Sequence, residues 1–267
     1  MSLLKTYQAT LKKTTSEEII DLLVFRPLGF LLAYSLKSTP ISPNQVTALS
    51  MLSGIASGVT FYFHSYALGA LFLFLANALD CADGQLARLK KASSKIGRAL
   101  DGFGDYVVYV AVYLGMTLAF MRDTGNPYFF WWGAATGLAT MIQAAFFDEY
   151  RNRYSDSSTP AELQAEIEEF EEYRKTNKNY FNLFMTWFYV LYSKKQLKMR
   201  IKKPDLKVSD LFIRLLSFVG STTHISFLIV CALAGRIDYY YYGVSLVLSA
   251  YMALLFLFQK WLNKVKE

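Results

Sequence analysis

Six apolar stretches, each about twenty residues long, decide what this chain can fold into. They lie near residues 44–63, 66–86, 100–121, 128–148, 211–234 and 239–259. A helix of about twenty residues rises roughly 30 Å, the thickness of a bilayer's hydrocarbon core. Inside lipid each backbone N–H and C=O must be satisfied within its own segment, and the helix does that. The composition agrees: 54% of residues are hydrophobic and 16% aromatic, with a mean hydropathy of +0.23. The expected fold class is all-α, a polytopic membrane bundle of six transmembrane helices preceded by an N-terminal amphipathic helix in the cytoplasmic interface.

The charges between the stretches are unevenly placed. His64 and Ser65 form one connection without Lys or Arg, and the others on that side carry Arg122 with Asp123 and Arg236 with Asp238. The opposite side holds Lys5, Lys12 and Lys13, then Lys90, Lys91, Lys95 and Arg98, then Arg151 and Arg153, Lys194 to Lys203, and finally Lys260, Lys264 and Lys266. By the positive-inside rule the second set is cytoplasmic, and both termini with it. A net charge of +7 so distributed suits an anionic membrane surface and anionic substrates rather than nucleic acid. Met1 to Lys13 is polar and basic, without the apolar core of a cleavable signal. Cys81 and Cys231 are far apart in apolar runs, and make neither a metal pattern nor a disulfide framework.

Four regions follow: an N-terminal interfacial region at 1–43, the first four spans at 44–148, a cytoplasmic insertion at 149–207 and the last two spans at 208–267. In the first, Thr15 and Glu18 have the spacing of a capping box, and Asp21, Arg26 and Pro27 interrupt the apolar run behind it. In the insertion, Thr159-Pro160-Ala161-Glu162 opens an acidic helix. The aromatic run Tyr180 to Tyr192 is too short to span and reads as interfacial or packed on the bundle. The basic run Lys194 to Lys203 reads either as a contact with anionic lipid heads or as a solvated loop. Gly54-x3-Gly58 and Gly133-x3-Gly137 permit close helix approach, for dimerisation or for internal packing. Ser221-Thr222-Thr223-His224 places polar groups in the fifth span.

Chemistry concentrates between the second and third spans. The segment Asp80-Cys81-Ala82-Asp83-Gly84-Gln85-Leu86-Ala87-Arg88 is followed, after eight residues, by Gly97, Asp101 and Asp105. Spacings of three and four put each pair of carboxylates on one helix face. Two helices can therefore aim four carboxylates at one point. Such a cluster repels itself unless hard cations with oxygen ligands neutralise it, and Mg²⁺ or Mn²⁺ fits. Gly84 and Ala87 leave room beside the backbone, and Arg88 offers a planar fork to phosphate oxygens. A different reading makes the aspartates a helix end paired with Lys90, Lys91, Lys95 and Arg98. A further one is a cation transporter or channel with an acidic site.

The pattern D-x2-D-G-x2-A-R-x8-G-x3-D-x3-D resembles the signature of the CDP-alcohol phosphotransferase family and departs from it at no fixed position. A given start position matches by chance with a probability on the order of 10⁻¹⁰. The resemblance implies a cytosol-facing cavity in a bundle of six membrane helices, usually a homodimer. It implies two metal ions held by Asp80, Asp83, Asp101 and Asp105, with Asp105 as general base. Asp80, Asp83, Gly84, Ala87, Arg88 and Gly97 would surround the CDP diphosphate of a CDP-linked lipid donor. Ser42-Pro43-Asn44-Gln45-Val46-Thr47 resembles the family's opening of the first span, which makes Asn44 and Thr47 nucleotide-side candidates beside the alternative of a plain helix cap. An alcohol hydroxyl would attack the β-phosphorus in line and release CMP. The acceptor is an alcohol or a phosphorylated alcohol. Arg98, Arg151, Arg153 and Arg214 are the cations available to a phosphorylated one.

Overall fold

Ser42 and Pro43 fix where the first long helix begins. In the computed structural model, which describes residues 3–11, 17–92, 94–154, 159–202 and 209–266, Ser42 and Gln45 form a reciprocal capping box. The Ser42 N–H donates to Gln45 Oε1 at 2.8 Å, and the Gln45 N–H to Ser42 Oγ at 3.3 Å. Pro43 takes the first turn, where its missing N–H costs nothing. The helix that follows, α3 (Pro43–Tyr62), is the axle of the bundle. It packs along α4 (Tyr66–Lys90) on one side and α5 (Lys95–Thr124) on the other.

Small residues make that double contact close. Gly54 lies against the Val108 side chain and Gly58 against the Ala111 backbone, while Gly115 faces the Gly58 backbone. The Gly54/Gly58 pair thus serves packing within the chain, and Gly133 likewise abuts Thr117. Buried hydroxyls on α3 find carbonyls on α4: Ser50 donates to Ala76 O and Ser57 to Gly69 O, both at 2.8 Å. Buried polar groups are costly unless bonded, so each of these pairs fixes register.

Before α3 stand α1 (Leu3–Thr10) and α2, whose first turn (Asp21–Phe25) is π-helical and whose remainder is Arg26–Leu36. Pro27 explains the irregular turn. It cannot donate, and its ring disfavours a regular preceding turn, so the Arg26 N–H reaches back five residues to Asp21 O. Arg26 also grips Glu17 at 2.9 Å and Asp21 at 2.8 Å. One side of α2 packs on α4, while Leu23 and Leu31 stay exposed. Of the expected capping box, Thr15 lies outside the described residues, and Glu18 works elsewhere. Its carboxylate accepts from the backbone N–H groups of Thr222 (3.0 Å) and Thr223 (2.8 Å) and from the Thr223 hydroxyl (2.8 Å). It caps α10 (Ser221–Leu233), whose own cap position, Gly220, supplies no side chain.

After α5 come α6 (Tyr128–Tyr154), a hairpin of α7 (Pro160–Thr176) and α8 (Tyr180–Lys202), then α9 (Asp210–Leu216), α10, α11 (Ile237–Tyr242) and α12 (Ser249–Lys266). Thr159, Pro160 and Glu162 open α7 with the expected capping box. The aromatic run packs on the bundle: Phe103 of α5 meets Phe184 and Phe188 of α8 edge-on at 5.6 and 5.4 Å. The basic run that follows is helical through Lys202 rather than a loop, and Lys194 pairs with Glu171 at 2.6 Å. Lys203 lies outside the described residues.

All regular structure among the described residues is helical. Among the described residues three helical segments are long and apolar enough to cross a membrane: α4 (Tyr66–Lys90), α5 (Lys95–Thr124) and Ile237–Lys260, which runs from α11 through a π-helical stretch into α12. Asp210–Val219 with Ser221–Leu233, bent by 40°, makes a fourth if counted as one broken span. The expected first and fourth spans, now α3 and α6, fall outside that set. Both carry buried polar side chains turned toward neighbouring helices, such as Ser50 and Ser57 on α3 and Thr136, Thr140 and Gln143 on α6.

Candidate active site

The two helices that carry the aspartates run in opposite directions with α3 between them. Near the end of α4 stand Asp80 and Asp83. The chain then turns at Lys91, which takes the left-handed conformation (φ 52°), and restarts at Ser94, whose hydroxyl accepts from the Gly97 N–H at 2.9 Å. Two turns into α5 comes Asp101. Carboxylate oxygens of Asp80, Asp83 and Asp101 all lie within 4.8 Å of one another. Asp83 is buried, and the Thr47 hydroxyl of α3 donates to it at 2.5 Å. Asp105, one turn further along α5, stands outside this group of three and lines a neighbouring cavity.

Three oxygen donors gathered this closely from two helices fit a hard divalent cation such as Mg²⁺ or Mn²⁺, with coordination positions left for phosphate or water. The cations that spacing alone offered as partners are engaged elsewhere. Lys90 donates to the carbonyls of Thr39 and Ile41, each at 2.7 Å, Lys95 pairs with Glu169 at 2.7 Å, and Arg98 pairs with Glu166 at 3.0 Å. Lys91 is exposed, at the wall of a cavity that adjoins the carboxylates.

That cavity has a volume of about 540 Å³. Asn44, Thr47, Gly84, Ala87, Arg88 and Gly97 all stand at its wall, as do Asp83 and Asp101. Ser42 is the cap of α3, which leaves Asn44 and Thr47 free to face the cavity. Asn44 closes on Gly97, where an added Cβ would come within 3.0 Å of Asn44 Oδ1. At Gly84 the only neighbours of an added Cβ are the Arg88 guanidinium nitrogens, at 3.6 and 3.8 Å. Nε and Nη2 of Arg88 are buried without a protein acceptor. Buried guanidinium donors left unpaired are costly, and an anion at this wall would relieve them.

A second cavity, of about 160 Å³, opens beside Asp105 and shares Arg98 and Tyr189 with the first. Its walls bring in Asp148 of α6, Ser221 and the α8 rings Phe188 and Tyr192. Sequence reasoning noted Ser221 only as a polar group of the fifth span, and missed Asp148, Phe188, Tyr189 and Tyr192. The only signal was the aromatic richness of 180–192, which does not say which rings turn inward. Tyr189 donates to Glu166 Oε1 at 3.0 Å and stacks on Phe170 at 4.3 Å. Burial and the Glu166 carboxylate push its phenol up to about 12. Of the four arginines considered for the acceptor, Arg98 lines both cavities. Arg151 pairs with Asp148 at 2.8 Å and Arg153 with Glu149 at 2.6 Å, and neither is among the lining residues. Arg214 sits in the last turn of α9, also away from both walls.

The family model for CDP-alcohol phosphatidyltransferases matches residues 40–198, which covers the capped start of α3, the carboxylate group and most of α8. The chain belongs to that family. Among curated proteins, the bifunctional IPC transferase and DIPP synthase of Aquifex aeolicus is 29% identical over 44% of this chain and 26% of its own length. Cholinephosphotransferase 1 of Gallus gallus is 33% identical over 40% of this chain and 32% of its own. Archaetidylinositol phosphate synthase of Pyrococcus horikoshii is 32% identical over 32% of this chain and 45% of its own. The chain thus spans between a quarter and a half of each of these relatives. Membership in a transferase family sets aside the transporter reading of the acidic group.

Proposed function

We propose that this chain transfers a substituted phosphoryl group from a CDP-linked lipid, such as CDP-diacylglycerol, to an alcohol hydroxyl, with release of CMP. One observation carries the proposal: Asp83 and Asp101 of the three-carboxylate group line, together with Arg88 and its unpartnered Nε and Nη2, one cavity large enough for a nucleotide diphosphate. Asp80, Asp83 and Asp101 would hold Mg²⁺ or Mn²⁺, two ions with Asp105 as the fourth carboxylate. Bound there, the metal supplies charge neutralisation at the phosphoryl oxygens and at the leaving phosphate. Arg88 binds the diphosphate through its free N–H groups, and Asn44, Gly84, Ala87 and Gly97 shape the wall against the nucleotide. Thr47 fixes the Asp83 carboxylate by its hydrogen bond. Asp105, at the boundary with the second cavity, accepts the proton of the acceptor hydroxyl. The attacking alcohol oxygen forms its bond to the β-phosphorus as the bond to the CMP oxygen breaks. No protein nucleophile is needed.

The remaining proposals are the placement of the whole in a membrane. We place six membrane-crossing segments, an interfacial α2, both termini and the site on the cytoplasmic side, and a homodimer, on the charge asymmetry and on the family resemblance. CMP release from CDP-diacylglycerol, assayed with purified protein against a panel of alcohols and with lipid products identified by mass, tests the reaction. Absence of metal-dependent CMP release with every alcohol would remove it.

A further inference from the structure

The cavity beside Asp105 differs from the nucleotide cavity in kind. Five aromatic rings stand in its walls: Tyr106 and Tyr109 from α5, with Phe188, Tyr189 and Tyr192 from α8. Phe188 meets the Tyr106 ring edge-on at 5.3 Å. The charges among its lining residues are two carboxylates, Asp105 and Asp148, and one guanidinium, Arg98. Arg98 is held at the junction with the first cavity by Glu166 and lies 5.8 Å from the centre of the Phe170 ring. Asp148 stands with the rings, its Oδ1 paired from outside the lining with Arg151 at 2.8 Å, and burial together with its charge raises the pKa of the Tyr192 phenol.

Each class of small alcohol makes a different demand on such a wall. A phosphorylated alcohol needs free cations. Here Arg151 and Arg98 are tied to Asp148 and Glu166, at 2.8 and 3.0 Å. A polyol could use the phenol hydroxyls and Ser221, but it brings no positive charge to set against the two carboxylates. An ammonium group is attracted to ring faces within about 6 Å and to a nearby carboxylate. At about 160 Å³ the space admits a short head and little more.

We infer that this cavity binds a short ammonium-bearing alcohol as the acceptor, its cationic head among the α8 rings and Asp148 and its hydroxyl toward Asp105. The inference rests on the transfer reading above. It also gives the α7–α8 hairpin a role in specificity, because α8 supplies three of the five rings and so sets the acceptor class.

Binding and turnover together test it. Full-length protein in detergent with Mn²⁺ is titrated calorimetrically with choline, ethanolamine, glycerol 3-phosphate and myo-inositol. Choline or ethanolamine is expected to bind, and the other two to bind at least tenfold more weakly. Tyr192→Leu and Asp148→Asn should each weaken the ammonium alcohol about tenfold, while Tyr192→Phe, which keeps the ring face, stays within about twofold. All three should bind CDP-diacylglycerol as the unaltered protein does, which shows that they are folded. Preference for glycerol 3-phosphate or inositol, or unchanged ammonium binding in Tyr192→Leu, overturns the inference and leaves the transferase reading intact. In turnover, CDP-diacylglycerol with the ammonium alcohol should yield CMP and a lipid carrying that head. CMP from CDP-choline with diacylglycerol alone would mean that the ammonium enters on the donor, which overturns the acceptor role. Ammonium binding without CMP in any arm removes the transfer reading itself and the acceptor role with it.

Discussion

A single methyl group at the α3–α5 contact should reach the carboxylates some turns away. In Gly58→Ala the new Cβ would stand 2.5 Å from the Ala111 carbonyl carbon, with the carbonyl oxygen closer still. Carbon atoms rest at about 3.5–4.0 Å, so the helices must part by about 1 Å. The obstructing atoms are backbone and cannot turn aside. Overpacking of this kind costs about 1–3 kcal/mol, and the better helix propensity of Ala returns about 0.5–1. A net loss of about 0.5–2 kcal/mol is expected in thermal unfolding of the detergent-solubilised protein. The larger effect is positional. On α3 sits Thr47, which orients Asp83, and on α5 sits Asp101; metal sites tolerate ligand displacements of only about 0.2 Å. A shift near 1 Å can lower turnover by about 10²-fold. Metal affinity and CMP release should therefore fall far more than stability does. Gly137→Ala is the control, since its Cβ would meet Tyr113 at an ordinary 3.5 Å. Gly58→Ala with unaltered melting temperature, metal affinity and turnover would falsify the claim that this contact sets the site's geometry.

Four other outcomes follow from the same structure. Asp105→Asn should lower CMP release by about 10²–10⁴-fold while CDP-lipid binding survives, and near-normal turnover in the folded variant removes Asp105 as base. Arg88→Gln should weaken CDP-lipid binding tenfold or more, about 1.5–3 kcal/mol, with acceptor KM little changed; the reverse pattern would detach Arg88 from the diphosphate. Chelation should abolish CMP release, with recovery in Mg²⁺ or Mn²⁺ and poor recovery in Ca²⁺, which favours longer bonds and more ligands; activity persisting in verified metal-free protein counts against the carboxylate group as a metal site. Burial pushes the Glu18 carboxyl up to about 7 from its ordinary 4.5, so between those values the folded chain holds a proton that the unfolded chain has released. Stability should accordingly fall as pH rises from about 4.5 to 7, and Glu18→Gln should flatten that slope; an unchanged slope in the variant assigns it to another group.

What the sequence discloses here is what is local. Asp80 and Asp83 share a helix face because a spacing of three needs no knowledge of the rest of the fold, whereas the packing of α4 and α5 on α3 decides that Asp101 joins them and Asp105, four residues on, does not. The caps at Ser42 and Thr159 are legible for the same reason, since donor and acceptor lie three residues apart. The inward turn of Tyr189 and Tyr192 is not, because one aromatic-rich helix offers several faces and only its docking on α5 selects among them. Gly54 and Gly58 advertise a close approach without naming the partner. Glu18 misleads: its spacing from Thr15 suggests a local cap, whereas its oxygens serve an N-terminus some two hundred residues later. The apolarity of the expected first and fourth spans is diluted by polar side chains on α3 and α6, and the sequence does not show that several of these turn toward other helices.

That last bond of Glu18 has an architectural consequence. The family-matched segment runs from 40 to 198, and both Glu18 and the α10 backbone it caps lie outside that segment, on opposite flanks. The two flanks are thus fastened to one another across α4, on which both α2 and α10 pack. The family-matched segment is bridged at α4 by a clasp made from the parts of the chain that lie beyond it. On a chain emerging from the ribosome the tongue of this clasp precedes its buckle by some two hundred residues, so the charge on Glu18 must wait for all of them before it is covered.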